Sequence, residues 1–517
     1  GDQRRNGVPD ELRATIDKIL DAAKRLDSLV PRIDEPDQRT VRVSPGDDVN
    51  QALLSLHDAG GRLLAKPGHY DVKLKALARP EGAPPIVIET DPNGDLPKPG
   101  EQVTREHIPA LAVFATSQSG QTFTAENQAR NMSLVNVAFG PTGKVADTQV
   151  ALGGDKRHTT RVEDLPENFS FDRVLFFGEH ARGQHRGLLA HARMLTIENC
   201  GFYDLVEPGR DSQAICAWNG GIGVLVENCT LEAGAENLLL GGSDAASEAM
   251  LPRDWIVRRC RIRKDPAWKT WANYSSLNIK ALVEMKAGVN VAFDGLTLEH
   301  ARKKNWDAGA AIILKCANQE NTAPFTVTRN VRISNVQMRG VDRPLQFVGY
   351  GDGGNVTQRM SDISVRNVLT LDANAQAVRL ANPPDNLTID HVTLLHGGNV
   401  FLDFWFGQGQ GPGSLFAWTN SIMTEGAYGI KGQYSGGGIG YKALEQIATG
   451  ARLEGNVIAG TSSRAYPGNV KLRPEAVAAA LDVSGRARDT FGIKTTDGKV
   501  PGADIDAILA AGAPAFL

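Results

Sequence analysis

A six-residue pattern of apolar and polar positions returns many times along the chain. It reads apolar, any, apolar, polar, polar, then apolar or cysteine, as in residues 195–200 (Leu-Thr-Ile-Glu-Asn-Cys). The copies lie at 195–200, 224–229, 255–260, 291–296, 331–336, 363–368 and 387–392. Successive fifth positions are separated by between 24 residues (Asn367 to His391) and 40 residues (Gly295 to Asn335). Such spacing is typical of a solenoid whose repeats carry loops of variable length.

A second short apolar stretch follows each copy after a turn, and one further stretch precedes the first copy. These stretches lie at 187–191, 213–218, 237–240, 282–286, 312–316, 345–348, 377–380 and 400–405. Two or three strands per repeat predict a parallel β-helix. A propeller would need four strands in each repeat, and a leucine-rich repeat would need its leucine and asparagine signature, so both are disfavoured.

The ends of the chain differ from this repeat. Residues 10–30 form a heptad pattern, which predicts a helix. This helix would either form a short coiled coil, and so a homotrimer, or cap the end of the solenoid. The two alternatives stay open. The apolar positions of the heptad pattern are Leu12, Ile16, Ile19, Ala23, Leu26 and Val30. We predict four segments: 1–39 (helix and linker), 40–165 (opening coils with long loops), 166–460 (regular coils) and 461–517 (a small C-terminal cap).

Composition narrows the function classes. The 517 residues carry a formal charge of −3. Proteins that bind nucleic acid usually carry an excess of positive charge, so the overall charge does not favour nucleic-acid binding. No apolar run approaches the roughly 18 residues that span a bilayer, and no export signal is visible at the start. Of the five cysteines, Cys200, Cys229 and Cys260 occupy equivalent repeat positions, which favours a buried stack over disulfides or metal ligation.

Alternation along the second stretches predicts a row of polar side chains on one face. If Val283 and Met285 point inward, Glu284 and Lys286 face outward, close enough to act as acid and base. Equivalent stretches add Gln213, Lys315, Gln346, Arg379 and Asp403. Such a row is suited to an extended glycan groove, although an ordinary solvated face would also be polar.

Loops beside this face contribute a second group of candidates. It contains Asp211, Trp218, Glu236, Lys264 and Trp268. Indole faces pack on sugar rings while neighbouring polar groups reach the hydroxyls. The alternative is that the tryptophans only cover the edge of the solenoid.

Two further motifs carry a family resemblance. The opening unit contains Pro67-Gly68-His69-Tyr70, and the run Asp211-Ser-Gln-Ala-Ile215, Trp218-Asn-Gly220, Glu232-Ala-Gly-Ala-Glu236-Asn237 continues to Glu284-Met-Lys286. The chain thereby resembles bacterial and phage-borne right-handed parallel β-helix proteins of the pectate-lyase-like superfamily. The resemblance implies a right-handed coil and contact with polysaccharide, since such proteins include lyases, hydrolases, epimerases and tailspikes. The Asp-Pro-His-Asp signature of alginate epimerases is absent.

Two classes of function follow. In the first, the protein is an extracellular, cell-surface or virion-associated depolymerase. A hydrolase would pair Glu284 with Glu236 or Asp211, and a lyase would use Lys286 as base. The residues predicted to bind substrate are Gln213, Trp218, Lys264, Trp268, Lys315, Arg379 and Asp403.

In the second class, the protein is a non-catalytic trimeric receptor-binding spike or a surface β-helix. No cofactor is expected, although acids from different coils would be able to assemble a calcium site.

Overall fold

The computed structural model describes residues 39–144, 147–179, 181–302, 304, 309–407, 411–432 and 438–516. They form two compact units that divide after Asn278. The heptad helix predicted for residues 10–30, with its trimer contact, lies outside the described residues. The four predicted segment boundaries remain predictions.

The first unit is a stack of coils, each built from three short strands. The elements are β1 (Thr40–Val43), α1 (Val49–Leu54), β2 (Gly61–Ala65), β3 (Gly68–Asp71), β4 (Leu74–Ala76), β5 (Ile86–Thr90), β6 (Ala112–Ala115), β7 (Phe123–Ala125), β8 (Arg130–Val135), β9 (Val137–Phe139), β10 (Thr148–Leu152), β11 (Glu167–Asp172), β12 (Leu175–Phe177), β13 (Arg186–Ala190), β14 (Arg193–Glu198), β15 (Gly201–Leu205), β16 (Gln213–Ala217), β17 (Ile222–Glu227), β18 (Thr230–Ala233), β19 (Glu236–Leu240), β20 (Arg253–Arg258) and β21 (Arg261–Arg263). Short 3-10 helices lie at Arg105–Ala110, Val162–Asp164, Glu248–Met250, Pro266–Thr270 and Tyr274–Ser276.

The second unit repeats this plan with longer strands. Its elements are β22 (Val283–Met285), β23 (Gly288–Glu299), β24 (Ala310–Lys315), β25 (Thr328–Arg339), β26 (Arg343–Val348), β27 (Ser361–Ala373), β28 (Val378–Ala381), β29 (Asp385–Asp390), β30 (Thr393–His396), β31 (Val400–Trp405), β32 (Gly413–Ser414), β33 (Phe416–Thr419), β34 (Ile422–Thr424), β35 (Gly429–Gly432), α2 (Tyr441–Leu444), β36 (Ala448–Thr449), β37 (Arg452–Glu454), β38 (Val457–Ala459), β39 (Val470–Leu472), α3 (Pro474–Ala480) and α4 (Ile505–Ala510), with a 3-10 turn at Asp352–Gly354.

Strands of successive coils pair in parallel and form three columns. In the first unit, the first column is β1, β2, β5, β8, β11, β14, β17 and β20, the second is β3, β6, β9, β12, β15, β18 and β21, and the third is β4, β7, β10, β13, β16 and β19. In the second unit, β22, β24, β26, β28, β31 and β35 form the third column. The predicted parallel β-helix is confirmed by these pairings.

Equivalent side chains stack inside the coils because the register is the same from one coil to the next. Leu195 pairs with Val224, and Val224 pairs with Trp255. All three are almost completely buried. The rings of Phe139, Phe176 and Phe202 follow the same rule, with centroid distances of 5.4 and 4.4 Å. Burying such columns removes a continuous apolar surface from water, which is the main stabilising term.

The predicted cysteine stack is confirmed as a buried column. Cys200, Cys229 and Cys260 are completely buried and carry free thiols. The backbone N–H of Cys200 donates to Cys229 Sγ, and that of Cys229 donates to Cys260 Sγ, each at 3.4 Å. Burial raises the pKa of the Cys229 and Cys260 thiols well above their ordinary value. These cysteines fill the core as small apolar side chains.

The fifth position of each sequence repeat has its backbone in the left-handed region, including where it lies within the long strands β23, β25 and β27. Its φ is +56° at Asn199, +50° at Asn228, +54° at Asn335 and +59° at Asn367. Asparagine tolerates this conformation better than most residues. Its side chain also continues the stack, because Asn228 Nδ2 donates to Asn199 Oδ1 at 2.7 Å.

We expect Asn228→Ala to lower stability by about 2 kcal/mol, because it combines strain at positive φ with loss of the hydrogen bond to Asn199. Asn228→Gly removes the same hydrogen bond but tolerates the backbone conformation. Thermal unfolding followed by circular dichroism should therefore rank wild type above the glycine variant and the glycine variant above alanine. Equal melting temperatures for the two variants would show that the left-handed turn costs nothing.

Candidate functional site

The third column of the second unit presents a row of polar side chains on successive coils. Its register places Gln346 beside Arg379, Arg379 beside Asp403, and Asp403 beside Lys431. The predicted neighbours Gln346, Arg379 and Asp403 are thus adjacent, as expected. Lys315 lies two positions further along its strand than expected, because Glu284 pairs with Ile313.

Glu284 and Lys315 form the centre of one charged group at the start of this row. Lys315 Nζ lies 2.9 Å from Glu284 Oε1 and 3.1 Å from Asp352 Oδ2. Lys286 Nζ lies 3.9 Å from Glu284 Oε2. Burial alone would lower the pKa of Lys315, but the carboxylates of Glu284 and Asp352 outweigh it and raise that pKa above its ordinary value. Lys315 is therefore a fixed cation at neutral pH.

The expectation that Glu284 is exposed is wrong. Val283 and Met285 are fully buried as predicted, but Glu284 is only 5% exposed. The reason is that Lys286 from the same coil and Lys315 from the next coil cover its carboxylate. Glu284 therefore contributes to stability as well as to any chemistry at this face.

A tightly connected network occupies the middle of the row. Arg379 Nη2 lies 2.9 Å from Asp403 Oδ2, and its guanidinium stacks 5.1 Å above the Trp405 ring. Arg343 donates to the side-chain oxygens of Gln346 (2.6 Å) and Gln376 (3.0 Å). Burial, assisted by the nearby charge of Arg379, lowers the pKa of Arg343 to about 10. The side chains of this face are held in fixed positions, as a binding surface requires.

An open cleft of about 640 Å³ adjoins this network. Lys431 Nζ lies 4.7 Å from the centre of the Tyr428 ring. The residues around it are Asn374, Ala375, Gln376, Gly397, Gly398, Asn399, Val400, Asp403, Tyr428 and Lys431. The cleft thus combines amides, a cation, a phenol and a carboxylate, which are the groups that recognise sugars.

In the first unit, Gln213 and Glu236 belong to an equivalent row in the third column. Arg186 Nε donates to Gln213 Oε1 at 2.7 Å, and Gln213 Nε2 donates to Glu236 Oε2 at 2.8 Å. Gln213 is 2% exposed and Glu236 1% exposed. Their predicted roles in binding and catalysis remain predictions, and both carboxylate and amide would need access to solvent to fulfil them.

Trp218 and Asp211 lie beside this row and are half-buried. The Trp218 ring contacts the Arg186 guanidinium at 5.5 Å and the edge of the His191 ring at 4.6 Å. Asp211 Oδ1 accepts a hydrogen bond of 3.0 Å from Asn278. Trp218 keeps part of its indole available, so its assignment as a sugar platform stays a prediction.

The expected exposure of Lys264 and Trp268 is wrong. Trp268 is 1% exposed, and its Nε1 donates to Asp204 Oδ1 at 2.6 Å. Lys264 is 3% exposed, and its Nζ donates to the carbonyls of Ala233, Gly234 and Ala235 and to Asn237 Oδ1, at 2.6 to 2.9 Å. Both residues close a turn of the coil, because buried polar atoms must find partners.

Three acids meet in the first unit, and none of them was predicted to be catalytic or to bind substrate. Carboxylate oxygens of Asp204, Glu232 and Asp265 lie within 4.8 Å of one another. Cations already balance them: Arg105 contacts Asp204, and Arg263 Nε donates to Glu232 at 2.6 Å. The group therefore fits an internal ion network better than a calcium site. Each acid follows a repeat cysteine, but by a different number of positions, so the sequence carries no repeating signal for this group.

Other residues of the site were also missed by sequence reasoning. Arg343 begins β26, Lys431 lies in β35, and Asp352 and Tyr428 lie in turns. Lys431 would have been found by extending the row by one more coil. Asp352 and Tyr428 carry no repeating signal, because turn lengths vary between coils.

Comparisons with known proteins give only distant matches. No protein-family model matches the chain, and no curated protein matches it. An alginate lyase from Paenibacillus sp. str. FPU-7 shares 13% identity over 68% of this chain and 97% of its own, with a TM-score of 0.42. A mannuronic acid specific polysaccharide family 6 lyase from human gut microbiota shares 11% over 85% and 93%, with a TM-score of 0.48.

A third solved structure, the Dettilon tailspike protein, shares 11% identity over 83% of this chain and 66% of its own length, with a TM-score of 0.41. These identities and TM-scores are too low to carry an argument about activity, and the strand pairings establish the fold. None of the helices in the described part of the chain is long and apolar enough to cross a bilayer.

We expect Glu284→Gln to lower the free energy of unfolding by about 3 kcal/mol, because it leaves buried Lys315 without its nearer carboxylate. Asp352→Asn is the matched control. The Asp352 side chain is 39% exposed, so its loss should cost about 1 kcal/mol or less. Melting temperatures of both variants provide the measurement. Equal losses would mean that burial of Glu284 does not determine the strength of this ion pair.

Glu232 should make stability depend on pH. Burial raises its pKa from 4.5 to about 7, against the opposing effect of Arg263. The folded protein therefore holds a proton that the unfolded chain releases, so this contribution is complete below pH 4.5 and is lost as pH rises towards 7. We expect the wild type to lose up to about 3 kcal/mol more than Glu232→Gln across that window.

The matched control is Glu248→Gln, since Glu248 is exposed. Chemical denaturation at several pH values between those limits measures the difference. Parallel pH profiles for the wild type and Glu232→Gln would contradict the assignment.

Proposed function

We propose that the protein binds and cleaves an extracellular acidic polysaccharide along the polar row of its second unit. The observation that carries the proposal is the cleft beside Arg379 and Asp403, where Tyr428 and Lys431 border an open volume of about 640 Å³. A solvated outer face has no need of buried, mutually bonded side chains. Here Asp403 is 1% exposed and held by Arg379.

The composition of the cleft supports elimination over hydrolysis. Hydrolysis of a glycosidic bond normally uses two carboxyl groups on either side of it. Among the described residues that border the cleft, Asp403 is the one carboxylate, and Arg379 already neutralises it. The amine of Lys431 and the phenol of Tyr428 instead suit elimination at a uronate, in which a base removes the proton next to the carboxylate and a donor protonates the leaving oxygen.

In the proposed reaction, the neutral form of the Lys431 amine acts as the base and Tyr428 as a neighbouring proton donor. The base removes the proton on the carbon next to the uronate carboxylate, and the electron pair forms a carbon–carbon double bond. The bond to the glycosidic oxygen breaks, and that oxygen takes up a proton. Lys286 remains a second candidate base, since its side chain is 15% exposed and lies beside Glu284.

The test is incubation of the purified protein with a panel of acidic and neutral polysaccharides. Ultraviolet absorbance of the unsaturated product and release of reducing ends are followed together. We expect both signals on an acidic polysaccharide, and a loss of about 100-fold or more in kcat for Lys431→Gln. Lys442→Gln, at an exposed lysine of α2, is the control and should retain full activity. Lys286→Gln decides between the two candidate bases.

The remaining outcomes separate the alternatives. Reducing ends without absorbance would contradict elimination and favour hydrolysis. Binding without turnover across the panel would contradict catalysis and favour a receptor-binding spike or surface protein. The hydrogen-bonded network of Arg343, Gln376, Arg379 and Asp403 would suit such a binder equally well.

A further inference from the structure

Tyr428, which borders the cleft, lies in a turn that packs closely against the preceding coil. Its backbone N–H donates to the Asn399 carbonyl at 2.8 Å. At Gly426 in the same turn, a β-carbon would lie only 2.5 Å from the carbonyl carbon of Asn399. Gly429 follows Tyr428 and begins β35, the strand that carries Lys431. The placement of this turn therefore determines where both Tyr428 and Lys431 lie.

Glu425, at the start of this turn, is tied to the segment that follows β38. Its side chain is completely buried, and Oε1 accepts hydrogen bonds from Ser462 Oγ at 2.5 Å and from Tyr466 Oη at 3.0 Å. Two cations lie near the same carboxylate, Arg464 Nη1 at 3.5 Å and Lys471 Nζ at 3.5 Å. Burial alone would raise the pKa of Glu425, but these hydrogen bonds and charges outweigh it and lower that pKa. Glu425 is therefore a buried anion that holds the turn against this segment.

The Tyr466 hydroxyl connects this buried anion to Gly429. Gly429 has a φ of +70°, and a β-carbon on it would overlap that hydroxyl. The hydroxyl thus lies directly against the backbone at the start of β35. Tyr466 is itself buried, and its ring centre lies 6.0 Å from that of Phe401. A change at this hydroxyl is therefore transmitted to the backbone next to Tyr428.

We propose that Glu425 and Tyr466 are positioning residues, which hold Tyr428 and Lys431 in the geometry needed for proton transfer. The inference rests on the proposed function, in which the Lys431 amine takes a proton and the Tyr428 phenol supplies one. Glu425 and Tyr466 are not among the described residues that border the cleft, so they act through the Gly429 backbone. A misplacement of about 1 Å lowers the rate by up to about 100-fold, because groups that exchange a proton must lie within hydrogen-bond reach.

Two substitutions and their combination test the contact. Gly429→Ala places a β-carbon on the Tyr466 hydroxyl, so we expect kcat to fall about 100-fold, with KM changed less than about threefold. Tyr466→Phe removes the hydroxyl and should lower kcat about tenfold. In the double variant, the nearest ring atom lies 3.1 Å from the new β-carbon, a contact that a small shift of the ring relieves. We therefore expect the double variant to be about fivefold more active than Gly429→Ala, whereas two independent losses would add.

The matched control is Gly450→Ala. Gly450 has a φ of +72°, close to that of Gly429, but a β-carbon there would have room, with Leu415 Cδ2 at 3.7 Å. This variant introduces the same backbone strain without the overlap, so it should retain the wild-type kcat. Activities are compared per folded protein, as measured by circular dichroism.

Hydrogen–deuterium exchange provides a readout that does not need turnover. The Tyr428 amide donates to the Asn399 carbonyl, and the Gly429 amide donates to the Glu425 carbonyl at 3.1 Å. We expect the amides of residues 428 and 429 to exchange about tenfold faster in Gly429→Ala than in the wild type, and more slowly again in the double variant. The peptide around Gly450 serves as the internal reference.

The two readouts separate failure of the inference from failure of the proposed function. The expected exchange pattern in a protein without turnover would support the contact through Tyr466 and contradict the proposed function. Turnover in the wild type, with a double variant no more active than Gly429→Ala, would overturn the inference and leave the proposed function intact. Unchanged exchange in Gly429→Ala would also overturn the inference.

Discussion

The structure depends on one repeated backbone feature, a residue with positive φ that follows the first strand in most coils and lies within the long strands β23, β25 and β27 in the others. Asparagine at this position satisfies two requirements at once. Its backbone accepts the left-handed conformation, and its side chain donates to the equivalent residue of the preceding coil, as Asn228 does to Asn199 and Asn367 to Asn335. The spacing between coils is thereby fixed at the turn as well as along the strands.

The fixed register at these turns determines what the outer face presents. Since each coil repeats the same alignment, a polar residue at one outward position lies beside its counterpart on the next coil. Arg379, Asp403 and Lys431 are neighbours for this reason, although they are far apart in the sequence. A solenoid therefore builds an extended binding surface from single residues per coil.

The fold could be predicted from the sequence because its signal is repeated. Each of the seven fifth positions, from Asn199 to His391, has positive φ, so the pattern marked the turn itself. The alternation of residue types also predicted that Val283 and Met285 face the core and that Glu284 faces away from it. Alternation does not predict how much of a side chain is exposed to solvent. Glu284 points away from the core and yet is covered by Lys315 and Lys286.

The candidate site was predictable only where it repeats. Lys264 and Trp268 lie in turns of unequal length, and nothing in their neighbourhood indicates that one closes a ring of carbonyls and the other bonds to Asp204. Tyr428 and Asp352 were missed for the same reason. The positions of side chains on irregular turns are set by contacts with residues distant in the sequence. A single sequence does not reveal these contacts.

The most direct test of the account is a crystal structure of the protein with an acidic oligosaccharide. We predict that a uronate lies in the cleft with the carbon next to its carboxylate beside Lys431 and its sugar ring beside Tyr428. An oligosaccharide bound only elsewhere on the chain, with this cleft empty, would contradict the central claim.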